Sequence, residues 1–159
     1  MVRTIRKKNR PAIIHKLQDN NIDKFIALIR LFEDVFEMKN FKMPDEDYLQ
    51  QLLKNDDFIV FTAIVNDRVV GGVTAYTLQQ YYSKSPLVYI YDLAVATEFQ
   101  RQGIGAMLIS GITNYCTEIG IEEVFVQANE EDAYALEFYH STGAAAEKVV
   151  HFYYPLNAQ

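Results

Sequence analysis

The sequence predicts a single mixed α/β (α+β) domain, and three observations point there. The chain has 159 residues, half of them hydrophobic, enough for one domain with its own core. Three β-rich runs, 58–65, 68–78 and 87–95, follow one another as a meander. After them, Ile104, Met107, Leu108, Ile112, Tyr115, Cys116 and Ile119 repeat with the period of an amphipathic helix, which lies between the strand 87–95 and another at 123–127.

The remaining elements follow in chain order. Residues 12–17 can form a short first strand, and residues 19–21 offer helix caps. From Ile22 the apolar positions Phe25, Ile26, Leu28, Ile29, Phe32, Val35 and Phe36 define a helix with one wide apolar face. Residues 39–44 break it. Asp45 can cap a second helix with Tyr48, Leu49, Leu52 and Leu53 on its buried side. Asn66 and Asp67 form a two-residue turn between the first two strands of the meander. The third strand, 87–95, is almost wholly apolar or aromatic and is expected to be buried on both faces. Gly120 closes the long helix. A last helix is expected at 132–141, with Gly143 after its end, and a last strand at 149–154. The expected organisation is a basic arm, 1–10, followed by one domain, 11–159.

Charge and cysteine content exclude several classes. The formal net charge is -6. Arg3, Arg6, Lys7, Lys8 and Arg10 fall in the first ten residues, so the remaining chain holds 10 bases against 21 acids. Such a body does not suit a broad nucleic-acid footprint and attracts small cations instead. The apolar stretch after Arg10 is too short for the core of a signal peptide, so none is expected; no run is long enough to cross a bilayer, and the cytoplasm is the default location. A single cysteine excludes a disulfide framework. His15, His140 and His151 show no ligand spacing, so no metal is expected. Cys116 falls on the apolar face of its helix and reads as an inert core thiol.

Chemistry is concentrated where the strand 87–95 runs through a glycine turn into the long helix. Free N–H groups and the positive end of the helix dipole make residues 101–106 a seat for a pyrophosphate. The Walker loop is absent, and the pattern after Gly103 and Gly105 fails the dinucleotide fingerprint. The run Gln100-Arg101-Gln102-Gly103-Ile104-Gly105 does match the Gln/Arg-x-x-Gly-x-Gly/Ala signature of the GCN5-related N-acetyltransferases (GNAT). The later run from Asp132 through Ala135, Leu136, Phe138 and Tyr139 to Gly143 resembles a second signature of that superfamily. Within it, Ile90-Tyr91-Asp92-Leu93-Ala94-Val95, Val126-Gln127-Ala128, His151-Phe152 and Tyr48-Leu49-x-x-Leu52-Leu53 are similar to the class I aminoglycoside 3-N-acetyltransferases.

The resemblance implies a central mixed, mostly antiparallel sheet, flanked by helices, in which 87–95 and 123–127 run parallel and splay apart. It implies acetyl-CoA held by Leu93, Ala94 and Val95 and by Gln100, Arg101, Gln102, Gly103, Ile104, Gly105 and Ala106. The Leu93 N–H would polarise the thioester carbonyl. Asp92 would take the proton of the acceptor ammonium and Tyr139 would protonate the departing sulfur. An ion pair or strand-end cap for Asp92, and core packing for Tyr139, are the structural alternatives. Asp132 suits a polycation and equally suits an N-cap. Glu33, Asp34 and Glu37, with Glu130 and Glu131, are candidates for an acidic acceptor cleft or for a solvated face. The implied activity is acetylation of a small cationic amine, the 3-amino group of an aminoglycoside before others, with antibiotic resistance as its setting. A polyamine, peptide or other metabolite amine is the alternative acceptor, and a non-catalytic acyl-CoA sensor the alternative class. No membrane or nucleic-acid partner is expected, and a homodimer is.

Overall fold

The computed structural model describes residues 11–157. They form two compact units, one ending at Gln127 and one starting at Ala128. The first holds β1 (Ile13–Lys16), α1 (Ile22–Val35), α2 (Glu46–Lys54), β2 (Phe58–Val65), β3 (Arg68–Leu78), β4 (Leu87–Val95), a 3-10 turn (Thr97–Phe99), α3 (Ile104–Glu118) and β5 (Glu123–Val126). The strands lie in sequence order in one sheet, β1-β2-β3-β4-β5. The first three pairings are antiparallel and β4 with β5 is parallel. The predicted mixed sheet is present, and the basic arm lies outside the described residues.

Local sequence accounts for the elements. Asn66 and Asp67 both take positive φ, 48° and 63°, which is the two-residue turn whose twist suits a hairpin. Asp45 caps α2 by accepting from the Tyr48 N–H at 2.9 Å. On α3, Ile104, Leu108, Ile112 and Cys116 are buried at four-residue steps, so this helix covers one face of the sheet. There it packs against Ile59, Phe61, Val73, Ala75, Val88 and Ile90. The opposite face holds Phe58, Val60 and Ala94 beneath Phe25, Leu28 and Phe32 of α1 and Leu49 of α2. Helix α1 sits low because β3 has Gly72 there: a Cβ on that residue would stand 2.4 Å from a Leu28 methyl. Among the described residues no helix is long and apolar enough to cross a membrane.

The second unit holds α4 (Ala133–Ser141), whose first turn is capped by Asp132 accepting from the Ala135 N–H at 3.0 Å. Gly143 follows the helix with φ 92°. Three expectations are corrected. Tyr48, expected on the buried side of α2, is half exposed, and Leu49 is the buried residue of that helix. Residues 149–154 form no strand, because two valines followed by aromatic residues supply propensity while a strand needs a ladder partner for its backbone. Strand β4 is not buried throughout, since Tyr91 is 61% exposed.

Candidate active site at the open half of the fourth strand

Strand β4 changes register in its middle. Thr74 of β3 pairs with Asp92, yet Ala75 pairs with Ile90, so Tyr91 is an extra residue on β4. Side chains alternate along a strand. Val88 and Ile90 point into the α3-side core, and unbroken alternation would send Asp92 after them. The bulge at Tyr91 resets the alternation. Leu93 and Val95 now pack on the α3 side, and Ala94 joins the α1 side. Asp92, two residues before Ala94, faces the α1 side with it.

The parallel ladder to β5 ends beside the same bulge, its last pair being Ile90 with Val126. Beyond it, β4 is paired with β3 alone. Ala96 donates to the Val70 carbonyl at 2.8 Å, and alternation in an antiparallel pair gives Ala94 and Asp92 the same orientation. The N–H groups of Leu93 and Val95 therefore point away from β3, toward the side that β5 has left. Gln100 donates from its side-chain amide to the Val95 carbonyl at 3.0 Å, tying the loop back to the strand. Gln102 donates to the Glu98 carbonyl at 3.2 Å.

The loop ends in a helix start unlike those of α2 and α4, which aspartates cap. Gly103, at φ 82°, is the N-cap of α3 and brings no side chain to its amides. Space is open where a Cβ would be. Met107 makes the first intrahelical bond, to the Gly103 carbonyl at 3.0 Å, so the N–H groups of Ile104, Gly105 and Ala106 have no helical acceptor. Arg101 also takes a positive φ, 56°. Alternating left- and right-handed residues turn successive N–H groups into one concavity, the geometry of an anion nest.

Asp92 is partly buried, and that burial raises its carboxyl pKa above the usual value. Among the described residues no cation pairs with it. Within the described residues it is thus a carboxylate of raised basicity outside any ion pair. Tyr76, a near neighbour, has its hydroxyl pKa raised by burial first and then by Tyr91, Tyr48 and Asp92.

The other predicted residues are distributed as follows. Glu33, Asp34 and Glu37 lie on or just after α1 in the first unit. Glu33 is paired with Arg30 at 2.7 Å. Asp34 lines a cleft of about 590 Å³ together with Lys24, Arg30, Arg68 and Glu98, a lining of mixed sign. Glu130, Glu131, Asp132 and Tyr139 belong to the second unit. Asp132 is the N-cap of α4, and the Tyr139 ring packs edge-on to Phe138 at 5.0 Å. Cys116 is buried, and burial pushes its thiol up to about 11, as an inert core thiol requires. Sequence reasoning missed Tyr76 and Tyr89, which meet Tyr91 edge-on at 5.8 and 6.0 Å. Their only signal was alternation on strands whose register was not yet known.

The chain and its fold are similar to those of known proteins. Residues 25–144 match the acetyltransferase (GNAT) family, and the chain belongs to it. An aminoglycoside acetyltransferase, meta-AAC0020, from an uncultured soil metagenomic sample is 57% identical in its trehalose complex. Its TM-score is 0.90, over 92% of this chain and 97% of that one. The same protein in complex with sisomicin matches at 56% identity with the same TM-score. A second soil metagenomic aminoglycoside acetyltransferase, HMB0005, is 32% identical with TM-score 0.87, over 93% and 100% of the two chains. An uncharacterized N-acetyltransferase of Methanocaldococcus jannaschii is 27% identical over 142 residues, and the aligned region spans 86% of this chain and 62% of that relative. GNAT acetyltransferases use acetyl-CoA. The open helix start, the glycine without neighbours and the outward amides of β4 suit a diphosphate with an extended amide-bearing arm.

Proposed function

We propose that this acetyltransferase moves the acetyl group of acetyl-CoA to one amine of an aminoglycoside, the 3-amino group before others, by direct attack in a ternary complex. The observation that carries the reading is Asp92: a partly buried carboxylate without a cationic partner among the described residues, turned out of the core by the bulge where β5 leaves β4. The sisomicin complex of the 56% identical relative supports the acceptor class.

Each group then has a task. The N–H groups of residues 103–106 would hold the diphosphate, and those of Leu93 and Val95 would hold the arm, the former facing the thioester carbonyl. Acetyl-CoA, when bound, supplies the acetyl group as an activated thioester. Asp92 attracts the acceptor ammonium and takes its proton, leaving a neutral nucleophile. Its raised pKa improves it as a base. Tyr139 gives a proton to the departing sulfur, a role a neutral phenol can fill. Asp132 keeps its capping bond while adding negative charge for a polycation.

Incubation with acetyl-CoA and gentamicin or sisomicin, followed by mass spectrometry, is expected to show one added acetyl group. NMR of the product is expected to place it on the 3-amino nitrogen. No product across several aminoglycosides removes this acceptor class, and acetylation elsewhere removes the regiochemistry alone.

A further inference from the structure

An unbroken line of six aromatic rings crosses the first unit and surfaces next to Asp92. It starts in the core, where Phe25 of α1 meets Phe58 of β2 at 5.7 Å, and Phe58 meets Tyr76 of β3 at 5.1 Å. Tyr76 meets Tyr91 of β4 at 5.8 Å with the planes at 89°. Tyr91 meets Tyr89 at 6.0 Å and 83°, and Tyr89 stacks on Phe125 of β5 at 5.0 Å and 14°. The Tyr89 hydroxyl donates to the Gln127 side-chain carbonyl at 3.3 Å. Five elements thus fix the rings, and the bulge that turns Asp92 also lifts Tyr91 into solvent. Tyr76 and Tyr91 form a right-angled corner, with Phe58 tilted against the first ring and Tyr89 edge-on to the second.

A rigid aromatic corner has two uses beside a carboxylate. Its faces attract the C–H surface of a saturated ring, and their quadrupoles attract an ammonium group. Linear amines can use only the second. We propose that the Tyr76–Tyr91 corner is the specificity element of the acceptor site, selecting primary amines carried on a saturated ring over linear polyamines of equal charge. The inference rests on Asp92 as the amine site, and it adds the residues that choose among amines. Burial and the neighbouring Tyr91, Tyr48 and Asp92 raise the Tyr76 hydroxyl pKa, so it remains a neutral donor for a ring hydroxyl.

The test is steady-state acetylation of sisomicin and of spermidine by the wild type, Tyr91→Ala, Tyr91→Phe, Tyr76→Ala and Tyr82→Ala. Tyr82 belongs to a separate exposed ring pair with Tyr81, 4.9 Å apart, and serves as the surface control. Either alanine variant in the corner is expected to raise KM for sisomicin about tenfold with kcat changed less than about threefold. Tyr91→Phe is expected to restore KM to within about threefold of wild type, and Tyr82→Ala to match it. Coenzyme A affinity by calorimetry is expected to stay constant, which shows that the variants are folded. Unchanged sisomicin KM in both corner alanine variants, or an equal rise for spermidine, overturns the corner as a selector while leaving acetyl transfer to aminoglycosides standing. A wild type that acetylates spermidine and not sisomicin overturns both.

Discussion

The two halves of β4 have similar sequences and different fates. Residues 87–90 are paired on both sides, by β3 and by β5, and Val88 and Ile90 are buried against α3. Residues 92–95 are paired by β3 alone, and the strand between the halves carries one extra residue, Tyr91. That residue exchanges a core position for a site. It turns Asp92 away from the apolar interior, where a lone carboxylate would be costly, and it coincides with the end of the parallel ladder. The first half should therefore govern stability and the second half catalysis, with little overlap.

The largest expected effect belongs to the open half. Asp92→Asn is expected to lower kcat by about 10² to 10⁴-fold, the usual worth of a general base, with coenzyme A affinity unchanged. Its stability effect has the opposite sign to most core substitutions. Because the folded-state pKa of Asp92 is raised, its contribution to stability is fully present below the unfolded pKa and is lost as pH rises through the folded value. Above the folded value the ionised carboxylate weakens the fold, so in that pH range the variant is expected to melt no lower than wild type. The pH profile of kcat/KM should fall on the acid side through a pKa above the usual carboxylate value, and this limb should vanish in the variant. A variant with wild-type turnover breaks the division between the halves.

Val88→Ala probes the closed half. Val88 is fully buried, so the loss of its methyl groups is expected to cost about 2 kcal/mol, read by urea unfolding. Coenzyme A affinity should not change. Gly103→Ala comes next. No neighbour obstructs a Cβ there, but φ is 82°, so the left-handed backbone is expected to cost about 1 kcal/mol and weaken coenzyme A about tenfold by calorimetry. The smallest effect is expected from Gln100→Ala, which removes one bond to the Val95 carbonyl. A loss of about 1 kcal/mol with a small rise in KM for acetyl-CoA would sharpen the comparison by showing that the loop and the open half are held together.

Much of this frame was legible in the sequence because it rests on local signals. The Asn66–Asp67 turn, the four-residue burial period of α3 and the Asp45 and Asp132 caps each follow from a few adjacent residues. The glycine turn was legible for the same reason. The facing of Asp92 was not. Val88 and Ile90 imply an inward position for it, and nothing in the residue types announces a bulge at Tyr91, whose cause lies in the pairing with β3. The ring line was hidden because its members come from five separate elements. The cluster Glu33, Asp34 and Glu37 looked uniformly acidic because the i,i+3 pairing of Arg30 with Glu33 was passed over and because chain order does not show Arg68 lining the cleft beside Asp34. Residues 149–154 had strand composition, and composition does not supply a neighbour.

Amide hydrogen exchange with and without coenzyme A tests the central claim most directly. Without ligand, the amides of residues 87–90 should exchange slowly, and those of Leu93, Val95 and residues 103–106 should exchange fast. Coenzyme A should protect the second group and leave the first unchanged. Binding that leaves Leu93, Val95 and residues 103–106 unprotected would contradict the account.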